Sequence, residues 1–495
     1  MNKSRRKFLT QSACGLSAAA LASAADRLGL INSIVQAQDA VATDYKALVC
    51  VFLSGGSDCN NMLVDLNQFS AYAAARGNPS ISPNLGLTQS MLLAINPASG
   101  GQFGLHPNLS PEVATPAQPP GLLKPWQDGR LAMLCNYGPL LRPTTKAQYQ
   151  ANIGGAYRPY QLFSHSDQIN QQMSSIVNTT GQTGWAGRVA DNTGGLNGPT
   201  ILPMSLSVGG TNLLQTGITT RQIAIGTGSL QNVLSLNWSG PASAAPFTNG
   251  SGFRQLLSFD TNQVLIKGAS DTMNTALNAD QILNQPDPTI PTPPNVTAFP
   301  STGIGNQLKQ VAKLIKIKDT LGMKRQIFFC TLGGFDTHTN ETGSDPTNPG
   351  GQGTQSGTQG GLLTQFSQAA RAFYDEMNAQ GNATNVTLFT LSDFGRTFQA
   401  SGLGAGTVGT DHAWGSHAFI MGGAVLGGTF YGTYPTLAAN GPDDDGGNRG
   451  RWIPTTSIDQ YGATLARWYG LDPALLTTVF PNLSKFPTQN LGFLG

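Results

Sequence analysis

The run Q326-I-F-F-C-T-L332, continuing directly into G333-G-F-D-T-H338, decides how this chain folds. Its residues are mostly apolar, with neither helical spacing nor strict alternation. Such a run reads as a strand buried on both faces, the kind found in a parallel sheet. The glycines and aspartate that follow put polar groups at its carboxyl end, where open α/β sheets hold ligands. Three other runs repeat the pattern. K46-A-L-V-C-V-F-L53 leads into S54-G-G-S-D58, L131-A-M-L-C-N-Y137 into Gly138-Pro139, and V386-T-L-F-T-L391 into Ser392-Asp393. Helical spacing fills the intervals. Leu308, Val311, Ala312 and Ile315 share a face over 306–318, as do Leu363, Phe366, Ala370, Phe373 and Met377 over 362–377. Ser457-Ile-Asp-Gln460 is a capping box that opens a helix through Tyr461, Leu465 and Trp468. The pattern predicts an α/β fold: a mostly parallel central sheet with flanking helices and loop-rich insertions.

The first residues belong to a different kind of segment. M1-N-K-S-R-R-K-F-L9 sets a basic pair before a stretch of Ala, Leu and Ser, and Val35-Gln36-Ala37 suits a signal peptidase. Residues 1–37 therefore read as a signal peptide of twin-arginine type, so the precursor is expected to use the twin-arginine export machinery. A periplasmic or secreted location follows. Cleavage removes Lys3, Arg5, Arg6, Lys7 and Arg27 against Asp26 alone, leaving 23 basic and 25 acidic residues, a net charge of −2. No basic field is left to favour nucleic acid. No later stretch supplies the roughly 18 apolar residues of a transmembrane segment. Cys50, Cys59, Cys135 and Cys330 remain, and most of them sit in strand-like runs where a cysteine is simply a small buried hydrophobe. The expected plan is 38–191 as the first part of the core, 192–304 as a loop-rich insertion or cap, and 305–495 as the second part.

Five histidines serve all 495 residues, and three of them fall in G333-G-F-D-T-H338 and D411-H-A-W-G-S-H417. Asp336 and His338, two apart, share a face on an extended strand end, as metal ligands or as hydrogen-bonding partners in a turn. His412 and His417 flank Gly415, which argues for a turn; a zincin helix would need histidines four apart. One of the two reads as a ligand, the other as a substrate contact or an outer support. Asp58 and Asp393 are the carboxylates at the other strand ends. S54-G-G-S-D58 lacks the lysine of a phosphate-binding loop, and D393-F-G has no accompanying kinase segments. Together Asp58, Asp336, His338, Asp393, His412 and His417 make a mixed O/N donor set for one or two divalent ions, zinc or manganese foremost, with iron also suited. Calcium is a further option at G441-P-D-D-D-G-G-N448, although the spacing is not that of an EF-hand and a solvated acidic turn reads as well. Ser164, at the start of a helix, is either an N-cap or a nucleophile activated by a metal. Arg142 and Arg396 are candidate clamps for an anion, or ordinary salt-bridge partners.

The motifs V51-F-L-S-G-G-S-D-C-N-N61, Ser164-His165, G184-W-A-G-R188, G333-G-F-D-T-H338, L391-S-D-F-G-R-T397, D411-H-A-W-G-S-H417, G422-G-A-V-L-G-G428 and R451-W-I-P-T-T-S-I-D-Q-Y461 occur in that order. In this the chain resembles the DUF1501 family, exported bacterial proteins of unknown function. That family is in turn similar to a divergent branch of the alkaline phosphatase and sulfatase superfamily. The resemblance implies an alkaline-phosphatase-like fold and two metals around a nucleophile. Asp58 would be the first carboxylate, Ser164 the nucleophile, Asp336 and His338 the next pair, Asp393 the later carboxylate, and His412 or His417 the last ligand. Two departures stand out. Phe394 occupies the place of a superfamily histidine, which weakens the second metal centre, and Ser164 lies outside the setting in which formylglycine forms. The implied function is metal-dependent hydrolysis of phosphate or sulfate esters, with a small anionic ester or glycan as substrate. The alternative is a non-catalytic periplasmic or surface binding or assembly protein that retains the fold.

Overall fold

Strand β1 (Lys46–Leu53) is buried along all but its first residue, and its alternate side chains enter two different cores. Ala47, Val49, Val51 and Leu53 point to one, Leu48, Cys50 and Phe52 to the other, as the two-residue period of a strand requires. The computed structural model describes residues 41–111, 121–200, 202–228, 296–343, 358–404 and 406–495, with residues 266, 267 and 270. The signal-peptide reading of residues 1–37 lies outside them.

In chain order the other strands are β2 (Leu63–Asp65), β3 (Leu93–Ile95), β4 (Phe103–Leu105), β5 (Leu131–Gly138), β6 (Ser205–Ser207), β7 (Ile223–Ala224), β8 (Arg325–Leu332), β9 (Val386–Ser392), β10 (Ser416–Met421), β11 (Phe430–Gly432) and β12 (Thr456–Ser457). A central sheet of nine runs β11-β5-β10-β9-β1-β8-β6-β7, with β12 also paired to β5, while β2, β4 and β3 form a small antiparallel sheet. Among the described residues, only β10 runs against its neighbours in the central sheet; every other pairing there is parallel.

The main helices are α1 (Phe69–Arg76), α2 (His165–Ser174), α3 (Trp185–Thr193), α4 (Gly303–Lys316), α5 (Gln359–Ala379) and α6 (Ile458–Tyr469). Leu308 and Val311 of α4 and Phe366 and Phe373 of α5 cover one face of the sheet. Trp185 and Val189 of α3 and Tyr461 and Leu465 of α6 cover the other. Each such side chain withdrawn from water contributes roughly 1.5–3 kcal/mol. The capping box at Ser457 and Gln460 forms as the sequence predicts.

Register places the site. Leu53 of β1 aligns with Leu332 of β8 and with Ser392 of β9, so the three central strands end level. The loops bearing Asp58, Asp336 and Asp393 therefore leave one edge of the sheet together.

Two sequence expectations need correction. S416-H-A-F-I-M421 is a fully buried strand, where the spacing of His412 and His417 suggests one polar turn. Within 192–304, read as an insertion or cap, β6 and β7 extend the central sheet through β8, so that stretch is partly core. Its residues 201, 229–265, 268–269 and 271–295 lie outside the described part. All four described cysteines are buried and free. No described helix is long and apolar enough to cross a membrane.

Gly55, at φ +115°, shows how tightly the strand-end loops meet. A Cβ there would lie 2.3 Å from the backbone nitrogen of Asp336. Since that neighbour is backbone, it cannot swing away. Gly55→Ala is expected to lower the unfolding free energy by about 2 kcal/mol or more, read from urea denaturation. An unchanged midpoint would show that the loops are not pressed together.

Candidate metal centre

Loop 333–338 after β8, the first residue of α2 and the segment before β10 bring four side chains to one point. Ligand atoms of His165, Asp336 and His412 lie within 4.8 Å of one another. Nε2 of His165 is 3.0 Å from Nε2 of His412. Oδ1 of Asp336 lies 3.4 Å from the former and 3.5 Å from the latter. His338 adjoins them, its Nε2 2.9 Å from Nε2 of His412 and 3.2 Å from Oδ1 of Asp336.

The other nitrogen of each ring fixes its tautomer. Nδ1 of His165 is 2.7 Å from Oδ2 of Asp393, Nδ1 of His338 is 3.2 Å from Oδ1 of Asp411, and Nδ1 of His412 is 2.8 Å from the carbonyl oxygen of Phe163. A carboxylate or carbonyl oxygen accepts, so each Nδ1 carries a proton, and in the neutral tautomer it is the lone pair of Nε2 that faces inward. Lone pairs and a carboxylate oxygen packed this closely repel one another unless a cation sits among them. Donors bound tetrahedrally to zinc at about 2.0–2.1 Å stand roughly 3.3–3.4 Å apart, close to the spacings here. Histidines whose far nitrogen is held by a carboxylate or carbonyl are the usual form of metal ligand. The donor set fits a divalent ion.

The surroundings hold these groups in place. Nη1 of buried Arg396 donates to Oδ1 of Asp336 at 3.0 Å. Burial alone would raise the pKa of Asp336, but the charge and hydrogen bond of Arg396 work against it, and the carboxyl is held below its usual range. For His412, burial is the main cause of a lowered pKa, which favours the neutral, ligating ring. Asp411 is likewise held below its usual range: against its burial stand hydrogen bonds from Ser401 Oγ at 2.7 Å and Arg449 Nη2 at 2.6 Å. The buried ring of Phe394 packs 4.8 Å from both the His165 and His412 rings. Phe394 is thus a platform against which two of the donors pack. Gly56, at φ +82°, leaves space for that ring, since a Cβ would come within 2.5 Å of it. The backbone N–H of Gly55 donates to Oδ1 of Asp393 at 2.9 Å, bracing the carboxylate behind His165.

The residues expected from sequence divide accordingly. Asp336, His338 and His412 come together. Asp393 stands one step back and orients His165 rather than joining the donor group. Asp58 is set apart: fully buried, it receives Nη1 and Nη2 of Arg76 at 2.5 and 2.9 Å and caps the one-turn helix Cys59–Met62. Both of its oxygens are thereby occupied by a fixed cation. His417 lies in β10, where its Nδ1 accepts from the Asn136 backbone N–H at 3.0 Å. Ser164 is the N-cap residue of α2, yet its Oγ donates to Oδ2 of Asp167 at 2.6 Å and makes no capping bond. Arg396 faces Asp336 and Thr410, and Arg142 lies over the ring of Tyr157. The acidic loop gives its carboxylates to its own turn: Asp444 accepts from the backbone N–H groups of Gly446, Asn448 and Gly450, and Asp445 from that of Gly447. His165 is the donor that sequence reasoning passed over. Its signal was present, as one of five histidines beside the serine that was considered.

Comparison with known proteins bears on this arrangement. Residues 259–446, which carry Asp336, His338, Asp393 and His412, match the DUF1501 family model, described as a protein of unknown function. No curated protein matches the chain. Among solved structures, the chain is distantly similar to Ps i-CgsB in complex with k-i-k-neocarrahexaose, at 8% identity over 87% of this chain and 73% of that one, with a TM-score of 0.35. It is also distantly similar to the PsFucS1 sulfatase from Pseudoalteromonas sp., at 10% identity over 85% and 71%, with a TM-score of 0.29. A mutant of the alkaline phosphatase PafA matches at 11% identity over 72% and 64%, with a TM-score of 0.23.

Burial lowers the pKa of His417 to about 4. Because the folded value lies below that of an unfolded histidine, the unfolded chain takes up the proton first. This contribution to stability is complete above about pH 6.5 and is lost as pH falls towards 4. The His417 Cε1–H resonance is expected to keep its neutral position down to about pH 5. An ordinary midpoint near 6.5 would place His417 in contact with solvent and contradict the geometry.

Proposed function

We propose that this chain is an exported metal-dependent hydrolase of phosphate or sulfate esters. One divalent ion, zinc or manganese, would be held by His165, Asp336 and His412, with His338 alongside. The observation that carries the proposal is the convergence of three Nε2 atoms on one another and on a carboxylate oxygen, at the carboxyl edge of the sheet. A donor set rich in imidazole suits zinc or manganese better than calcium.

A divalent ion at this point supplies Lewis acidity to an anionic ester and lowers the pKa of a hydroxyl beside it. The chain's own residues do the rest. Asp393 and Asp411 orient His165 and His338 and strengthen them as donors. Side chains of Asp336 and His338 remain 48% and 45% exposed, which leaves a side open to substrate. Arg449 reaches Asp411, and Arg451 donates from Nε to the His412 carbonyl at 3.0 Å. These two guanidinium groups at the rim favour a small anionic ester or a glycan bearing one. Ser164 precedes His165, and Oδ2 of Asp167 at 2.6 Å can take the proton of its hydroxyl, so Ser164 is the nucleophile in this reading.

The Asp58–Arg76 pair favours a second reading, a binding or assembly protein that keeps the fold and a metal without turnover. An arginine there occupies the carboxylate that a two-ion site would use. Metal analysis after zinc loading, followed by hydrolysis assays on aryl phosphate and aryl sulfate esters, separates the two. The hydrolase reading predicts about one equivalent of zinc, lost in His165→Ala and His412→Ala. It also predicts turnover that falls at least about 100-fold in Ser164→Ala. One bound ion without turnover on either ester would favour the binding protein. Failure to retain any ion would overturn both.

A further inference from the structure

We infer that Glu341 is a positioning residue, whose buried carboxyl clasps the two loops that carry the metal donors, a role that presupposes the centre proposed above. Oε2 of Glu341 accepts from Oγ1 of Thr337 at 3.0 Å and from Oγ1 of Thr410 at 2.6 Å. Thr337 stands between Asp336 and His338, and Thr410 stands two residues before His412. One buried oxygen therefore ties both donor loops together. The main chains are joined at the same place. Glu341 N–H donates to the Val408 carbonyl at 3.1 Å, and Thr410 N–H to the Thr337 carbonyl at 3.0 Å. A Cβ on Gly409 would meet the carbonyl group of His338 at 2.3 Å, so the two loops touch without a side chain between them.

The clasp also has a direction. Because the Thr410 hydroxyl gives its hydrogen to Glu341, it turns a lone pair towards Arg396, whose Nε donates to it at 3.2 Å. Arg396 in turn holds Oδ1 of Asp336 at 3.0 Å. An ordered chain thus runs from Glu341 through Thr410 and Arg396 to a donor oxygen. Remove the acceptor and the hydroxyl is free to rotate its hydrogen towards Arg396, which weakens the hold on Asp336.

Glu341 does this as a neutral acid. Arg76 and Asp58 balance each other beside it, and a further buried anion would have no counter-charge. Burial first, and then the charge of Asp58, push its pKa up to about 8. Glutamine reproduces that role, with a carbonyl oxygen for the threonines on a side chain that is likewise uncharged.

Zinc affinity of the full chain, measured by competition with a chromophoric chelator alongside urea unfolding, tests the clasp. Glu341→Gln is expected to bind zinc within about threefold of the parent protein, whereas Glu341→Ala weakens binding at least about tenfold, the scale of lost outer supports. Thr410→Val, which keeps shape and removes the hydroxyl, is expected to weaken it likewise and decides the matter should Glu341→Ala not fold. Glu376→Ala serves as control, since that buried carboxylate binds the Thr297 N–H on the α5 side of the sheet; it should cost stability without changing zinc affinity. Parent-like affinity in folded Thr410→Val and Glu341→Ala would overturn the clasp, as would a Gln variant as weak as Ala. A parent protein that binds no zinc would instead overturn the metal reading and the clasp with it.

Discussion

Repulsion between like-facing electron pairs is the constraint around which this structure is built. Imidazole nitrogens that both present a lone pair do not gather at 3 Å, yet here the Nδ1–H of each ring is committed to a fixed oxygen and its Nε2 is left to face its neighbours. The aspartates and the carbonyl behind the rings hold them in that arrangement, and Arg396 holds the carboxylate against them. A divalent cation held by His165, Asp336 and His412 would relieve that repulsion. Without one, a proton must take that place on at least one ring.

The fold meets this constraint through register and small residues. Three parallel strands that end level deliver their loops to one edge, and glycines at 55 and 56 let those loops close over the Asp336 backbone and the Phe394 ring. Strand β10, antiparallel to both β5 and β9, carries the chain away from His412 into the core. His412 therefore stays at the edge while His417, five residues on, is buried. Asp58 follows a third course. It faces Arg76 and Glu341 beneath the centre, so the charge that could have bound a second ion instead joins α1 to the loop after β1.

Much of this was legible in the sequence, for physical reasons that differ by element. Strands β1, β5, β8 and β9 are long and apolar on both faces, and their boundaries emerge within a residue or two. Helices α4, α5 and α6 announce themselves by spacing and, for α6, by a capping box. Strand β10 was harder to read because its first residues, Ser416 and His417, are polar and follow a glycine. At the site, Asp336 and His338 could be read from their place after β8, and His412 from its polar cluster with Asp411 and His417. His165 was marked only by its rarity and its place beside Ser164, because it comes from a helix start distant in sequence and packing alone brings it to His412. The roles of Asp58 and Asp393 could not be read: a carboxylate at a strand end may face an ion, an arginine or a histidine, and the residue type does not distinguish them.

The most direct measurement is an anomalous difference map from crystals of the zinc-loaded protein. The geometry predicts one strong peak bonded to Nε2 of His165, Nε2 of His412 and a carboxylate oxygen of Asp336, with Nδ1 of each ring still on its oxygen partner. Zinc-loaded crystals with no peak among these atoms, or with either ring turned so that Nε2–H donates a hydrogen bond, would contradict it.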